Sequence, residues 1–151
     1  MGKGYHNVTT YLTVHDGAAA VEFYKQVFAA KERPGRMSDP NGKIMHTEMQ
    51  IGDSRIMLSD EFPEWGNISA KTLGKTPVGM NVYVKNCDAV VEKAVSLGAK
   101  LLMPVADQFY GDRSGRIEDP FGHNWIISTH VEDVSMKEMQ KRMAAMYSQN
   151  Q

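Results

Sequence analysis

In the run Lys43-Ile44-Met45-His46-Thr47-Glu48 an imidazole and a carboxylate stand two residues apart. On a β-strand their side chains point the same way, with the backbones about 6 to 7 Å apart. Such a pair suits two kinds of chemistry. A histidine, whose unperturbed pKa is about 6.5, makes a general base when a carboxylate orients it. The same two groups also lie within reach of one shared divalent ion. A third use is structural, with His46 and Glu48 pairing with each other and with tyrosine or arginine across the strands. The remaining histidines are His6, His15, His123 and His130. By alternation His123 falls on the opposite side from Ile126, and His15 lies at a strand end beside a helix cap, so at most two ligands plus water converge on a metal.

The stretch Asp107 to Arg116 is the other candidate. It holds Phe109, Tyr110, Asp112, Arg113 and Arg116, with glycines at 111 and 115 that permit tight turns. Phe109 and Tyr110 could close over a ligand while the planar fork of Arg113 binds a carboxylate or phosphate. The plainer role for Arg113 is a lock to Asp112 or Asp107 that fixes a hairpin. Gly111-Asp112-Arg113-Ser114-Gly115 is too generic to be a phosphate loop.

The elements that must position these groups repeat. Val14 and Val84 each close an apolar-alternating run, and Ala20-Val21-Glu22 recurs as Val90-Val91-Glu92, both at an offset of 70 residues. Ala30-Lys31 returns at Ala99-Lys100, Gly52 at Gly122, and Ile56-Met57-Leu58-Ser59 is echoed by Trp125-Ile126-Ile127-Ser128. A near-constant offset across five places argues for a duplicated unit, too long for a solenoid repeat.

Each unit reads β-α-β-β-β. In the first, Val8 to Val14 alternates as a strand. Asp16 caps a helix that runs to Phe28 with Ala20, Phe23, Tyr24, Val27 and Phe28 as its apolar stripe. Strands follow at Ala30 to Met37, Ile44 to Ile51 and Ser54 to Leu58, separated by Pro40-Asn41-Gly42 and Gly52-Asp53 turns. The second unit repeats the order with a strand at Gly79 to Val84, a helix capped by Asp88 and stopped by Gly98, and strands near Lys100 to Met103, Ser114 to Ile117 and Asn124 to Thr129. The expected organisation is therefore α+β: a first unit over 1–60, a linker with anchoring Phe62 and Trp65 over 61–76, a second unit over 77–131, and a C-terminal helix over 132–151. That helix opens with a capping box, Ser135 and Glu138, and lines up Met136, Met139, Met143 and Met146 for packing on the body or on a second subunit.

If the helices cover one face of each sheet, the other face can line a cavity. Alternation sorts Met45, Met49 and Ile51 toward the helix and His46, Glu48 and Gln50 toward the cavity. The same phase adds Thr9, Tyr11, Thr13, Met57 and Ser59, and from the second unit Asn81, Tyr83, Ile126 and Ser128, a pocket of mixed polarity suited to a small molecule.

The balance of 17 Lys and Arg against 18 Asp and Glu gives no basic excess, so neither nucleic acid nor an anionic membrane is expected as a partner. No apolar run of about 18 residues is present, and the first residues lack the stretch of a secretory signal. The one cysteine, Cys87, cannot form an intrachain disulfide and has no neighbouring His or Arg to activate it, so a structural thiol in a reduced, cytoplasmic protein is expected.

Two β-α-β-β-β units, Asp-Pro-Phe-Gly at Asp119 to Gly122, Tyr-Lys-Gln-Val-Phe at Tyr24 to Phe28 and Lys-Ile-Met-His-Thr-Glu at Lys43 to Glu48 together resemble the vicinal oxygen chelate superfamily. That group holds glyoxalase I, extradiol dioxygenases and the fosfomycin and bleomycin resistance proteins. The run Asp107 to Arg113, with the Asp-Pro-Phe-Gly-His-Asn-Trp turn after it, is similar to the PhnB-type branch. The resemblance implies curved sheets around a cavity, frequent dimers whose cavities combine strands from two units, and a divalent metal held by a His or Gln in the first strand and a Glu in the fourth strand of each unit. Those four places fall on Thr9, Met57, Gly79 and Ile126, which are not a competent set of donors.

Three functions follow as expectations. One is a small-molecule binding protein, a homodimer with no cofactor, in which Thr9, Tyr11, Met57, Asn81, Tyr83, Phe109, Tyr110, Arg113 and Ile126 line the site. Another is a lyase or isomerase of glyoxalase type that uses His46 and Glu48 on a small carbonyl or phosphonate-like compound, by acid-base catalysis or around a displaced divalent metal. The last is a duplicated scaffold that serves an assembly through its methionine-rich tail.

Overall fold

A computed structural model describes residues 2–149. Met1 of the expected first unit, and Asn150 and Gln151 of the expected C-terminal helix, lie outside the described residues.

The first unit starts with β1 (Thr10–Val14), where Leu12 and Val14 point into the core and Tyr11 and Thr13 point away. Asp16 then caps α1 (Gly17–Phe28), its carboxylate accepting from the Ala19 N–H at 3.1 Å. The expected strand over Ala30 to Met37 is instead two short ones, β2 (Lys31–Glu32) and β3 (Met37–Ser38), both paired with β4 (Ile44–Ile51). Pro34, which has no N–H to give a ladder, and Gly35, at φ +109°, break the run. A tight turn at Gly52 leads into β5 (Ser54–Asp60), and the sheet order is β1-β5-β4-β2, with β1 and β5 parallel.

One residue departs from simple alternation. Met37 pairs with His46 and Ser38 with Ile44, so Met45 is an extra residue in the ladder. The bulge turns Ile44 into the core and leaves Met45, expected on the helix side, 42% exposed.

The second unit repeats the topology. β6 (Gly79–Tyr83) pairs in parallel with the last strand, and the sheet order is β6-β9-β8-β7, with β7 (Lys100–Asp107), β8 (Asp112–Glu118) and β9 (Asn124–His130). The correspondence extends to register, since Tyr11 lies opposite Met57 in the first sheet and Asn81 opposite Ile126 in the second. Between β6 and β7 runs α3 (Cys87–Ser96). Its cap is Asn86, whose side chain accepts from the Ala89 N–H; Asp88, the expected cap, sits inside the first turn. Segment 61–76 carries a 3-10 turn (Pro63–Trp65) and the short α2 (Ala70–Leu73). Phe62 is buried there, while Trp65 stacks on it from outside and is 66% exposed.

Both helices face one continuous core. Phe28 of α1 meets Trp125 of β9 with ring centroids 4.5 Å apart, and Phe121 lies against Phe23 and Tyr24. The sheet faces turned away from the helices therefore carry the polar side chains. α4 (Met136–Gln149) begins after Ser135, which accepts from the Glu138 N–H at 3.1 Å, and none of its residues is buried. Among the described residues no helix is long and apolar enough to cross a membrane.

Candidate functional site

His46 and Glu48 lie on the face of the first sheet that looks away from α1, and β4 places both half-buried. His46 Nε2 is 3.2 Å from Glu48 Oε1, and His46 Nδ1 is 3.0 Å from the Tyr11 hydroxyl. A carboxylate can only accept, so Nε2 donates to Glu48, and in the neutral imidazole Nδ1 is left to accept from Tyr11. The result is a directional chain, Tyr11 to His46 to Glu48. Glu48, Met57 and Tyr11 stand in one row across β4, β5 and β1, with Met57 as the apolar floor between the two polar ends.

Three residues that no sequence pattern singled out complete this face. Tyr5 donates its hydroxyl to Glu48 Oε2, and Arg33 Nε lies 3.8 Å from the same oxygen. Arg55 sits over the Tyr5 ring at 4.7 Å from its centroid. Farther along, Asn67 accepts from Thr13 and donates to Ser59. Tyr5 lies in a segment without periodicity and Asn67 in the connecting stretch, so only the fold brings them here. The pairing of His46 and Glu48 with tyrosine and arginine is the structural arrangement anticipated as one alternative, and its outer rim stays open to solvent.

The other candidates divide among three places. Thr9, Asn81 and Tyr83 line a groove of about 930 Å³ between the units, bounded by β6, the end of α1, the β4-β5 turn and residues 4–10, with Phe28, Val82 and Trp125 among its apolar residues. Ile126 lines a smaller hollow of about 310 Å³ with Arg116 and Asn124. Phe109 and Tyr110 sit at the β7-β8 tip, edge to face, where Arg142 of α4 donates to the Phe109 carbonyl and the Val131 and Glu132 N–H groups donate to Gly111. These residues do not meet at a single point in the chain.

Arg113 has no free fork. Its Nε and Nη2 donate to both oxygens of Asp88 at 2.8 and 2.9 Å, and Nη1 to Asp107 at 3.2 Å. Those hydrogen bonds hold the Asp88 carboxyl below its ordinary value. Asp112 is not part of this lock, because alternation on β8 turns it to the opposite face. There the Tyr83 hydroxyl donates to it at 2.8 Å, and His130 Nδ1 lies 3.0 Å from its other oxygen. His130 Nε2 is 2.7 Å from Asp133, so the imidazole is flanked by carboxylates, and the hydrogen bonds to Asp112 and then Asp133 raise its pKa. Cys87 is buried, with Sγ 3.3 Å from the Arg113 carbonyl.

The four places where the resemblance puts metal ligands hold Thr9, Met57, Gly79 and Ile126, a hydroxyl, a thioether and two side chains without donors. That set does not fit a hard divalent ion. Among the described residues no three His, Cys, Asp or Glu side chains converge as a ligand group elsewhere.

Comparison with known proteins agrees with the duplicated architecture. The chain is 37% identical over 141 residues to the uncharacterized protein Mb0911c of Mycobacterium bovis, covering 91% of this chain and 92% of the relative. Its fold is similar to the X-ray structure of the Arabidopsis thaliana At5g48480 product, with TM-score 0.65 and 26% identity over 82% of this chain and 98% of that one. A PhnB protein from Bacillus cereus, titled a putative 3-demethylubiquinone-9 3-methyltransferase, matches in fold with TM-score 0.64 and 19% identity, covering 82% and 99%. The family profile described as Glyoxalase/Bleomycin resistance protein/Dioxygenase superfamily matches residues 6–127, and the chain belongs to that superfamily.

Proposed function

We propose that this chain is a small-molecule binding protein that works as a homodimer, with the Tyr11-His46-Glu48 chain as the polar end of its site. The observation that carries the reading is that chain itself: hydroxyl, imidazole and carboxylate in hydrogen-bonding sequence on a half-buried sheet face, beside the apolar Met57. A few convergent polar groups on an apolar floor are what orient a small ligand. The second copy is supported by β1 and β6, which are edge strands among the described residues, and by the unburied methionines of α4. The single, buried cysteine accords with a reducing, cytoplasmic location. We further assign the chain to the PhnB-type branch, on the run Asp107 to Arg113 with the Asp119 to Trp125 turn after it and the similarity to the Bacillus cereus fold.

A second reading, a lyase or isomerase acting on a small carbonyl or phosphonate-like compound, is favoured by the direction of the same chain. With Glu48 holding Nε2–H, Nδ1 is poised to take a proton passed from Tyr11 or from a ligand in its place. A thermal-shift screen tests both readings. A ligand at about 100 times its dissociation constant stabilises by roughly 2.7 kcal/mol, and the shift should vanish in Glu48→Gln and His46→Ala. Turnover of the bound compound, lost in His46→Ala, selects the enzyme. Shifts that survive both substitutions exclude this face.

A further inference from the structure

One side chain, Tyr5, links the groove between the units to the His46-Glu48 pair. Tyr5 and Arg55 line the groove, and Tyr5 also reaches Glu48. The segment that carries Tyr5 is weakly attached. Among the described residues no main-chain to main-chain hydrogen bond ties residues 2–8 to a strand. Among the described residues its ties are the Tyr5 hydroxyl on Glu48, the Tyr5 ring against Arg55, Arg55 Nη1 on the Lys3 carbonyl at 2.8 Å, and a long local contact of 3.5 Å from the Thr9 hydroxyl to the His6 carbonyl. Gly4 lets the chain lie on the guanidinium, since a Cβ there would stand 2.5 Å from Arg55 Nη2. A segment with few buried contacts and no ladder bonds opens at low free-energy cost.

Resting on the reading of this face as a ligand site, we propose that Tyr5 is a built-in occupant of that site, that residues 2–6 are a displaceable strap, and that the ligand class is a small phenol. The fit is chemical. Glu48 accepts a hydrogen bond from a hydroxyl, Arg55 offers a cation to the face of an aromatic ring, and both already hold these groups of Tyr5. A phenol entering from the groove repeats both contacts, keeps its ring against Arg55, and leaves any larger substituent in the 930 Å³ space alongside. Once the strap lifts, that space opens onto the Tyr11-His46-Glu48 chain. The strap thus favours ligands able to replace a tyrosine, because an intramolecular competitor acts at high effective concentration.

The probe is p-cresol, which is the tyrosine side chain alone, with toluene as the control that lacks the hydroxyl. Binding is measured by NMR titration of the full chain and of Tyr5→Ala, Tyr5→Phe and Glu48→Gln, each checked for cooperative unfolding. Wild type should bind p-cresol with displacement of the Tyr5 ring resonances, and Tyr5→Ala should bind about tenfold tighter or more. Tyr5→Phe should fall between them, Glu48→Gln should lose the binding, and toluene should bind none of them comparably. The strap proposal is overturned if wild type and Tyr5→Ala bind p-cresol equally, or if Tyr5 stays in place at saturation. It is overturned alone, with the ligand face intact, if p-cresol binds no variant while another compound from the screen is lost in Glu48→Gln. Binding that survives Glu48→Gln overturns the strap proposal, and binding that survives His46→Ala as well overturns the ligand face too.

Discussion

Tyr24 on α1 and Asp119 in the β8-β9 turn are joined by a 2.5 Å hydrogen bond in the buried boundary between the two units. Asp119 also accepts from Trp125 Nε1 and from the N–H groups of Phe121 and His123, each at 2.9 Å. One carboxylate thus fixes its own turn, the core tryptophan and the partner unit. Tyr24→Phe keeps the ring packing and removes only the inter-unit bond, so chemical denaturation should show a loss of about 1 to 3 kcal/mol. Burial, and then the Asp119 charge, push the Tyr24 phenol well above its usual value. Below about pH 10, where an unfolded tyrosine begins to ionise, that contribution is fully present. Above it the unfolded chain sheds a proton that the folded chain retains, so stability falls as pH rises. Tyr24→Phe should fall less steeply than wild type over that range, and equal slopes would show that Tyr24 does not set the alkaline limit.

The Arg113 fork is spent on Asp88 and Asp107, which makes it a brace between the start of α3 and the β7-β8 hairpin. Arg113→Met should therefore leave the affinity of any ligand found by the screen unchanged, and proteolysis should accelerate at the hairpin. A selective loss of binding for anionic ligands, with the hairpin still protected, would return Arg113 to the site.

His130 ties the end of β9 to Asp112 on one side and Asp133 on the other. A protonated imidazole donates to both carboxylates, whereas a neutral one donates to only one. Because its folded pKa is raised, the contribution is fully present below the unfolded value of about 6.5 and is lost as pH rises through the higher folded value. The melting temperature of wild type should then decline relative to His130→Gln as pH rises above about 6.5. Parallel profiles for the two proteins would mean that the histidine bears no linked proton.

The architecture was legible in the sequence because duplication writes it twice. The alternation of His46, Glu48 and Gln50 against Met49 and Ile51 holds in the sheet. Met45 failed because a bulge is a local count of residues against a partner strand, invisible from one strand alone. Asp88 failed as a cap because Asn86, two residues earlier, does the same job. The site was only half legible. His46 and Tyr11 sit on strands whose faces periodicity sorts, but Tyr5 and Asn67 come from aperiodic segments, and Phe109 and Tyr110 are held by a C-terminal segment whose course nothing local specifies.

α4 supplies the last test. It has 14 residues, none buried, with Met136, Met143, Met146 and Tyr147 exposed. A helix of that length is marginal in water without tertiary contacts. Here Arg142, bonded to Glu132, Glu138 and the Phe109 carbonyl, is its main tie to the body. A methionine face left over after folding is well suited to an irregular apolar partner, and a second copy presents the same face. Light scattering at micromolar concentration should report twice the chain mass. Met139→Asp combined with Met143→Asp should return it to one chain mass while the melting temperature of the body barely moves, because neither side chain packs in the core. A wild type of single-chain mass would remove the homodimer from the proposed function. A double variant that stays dimeric would shift the interface to the edge strands β1 and β6.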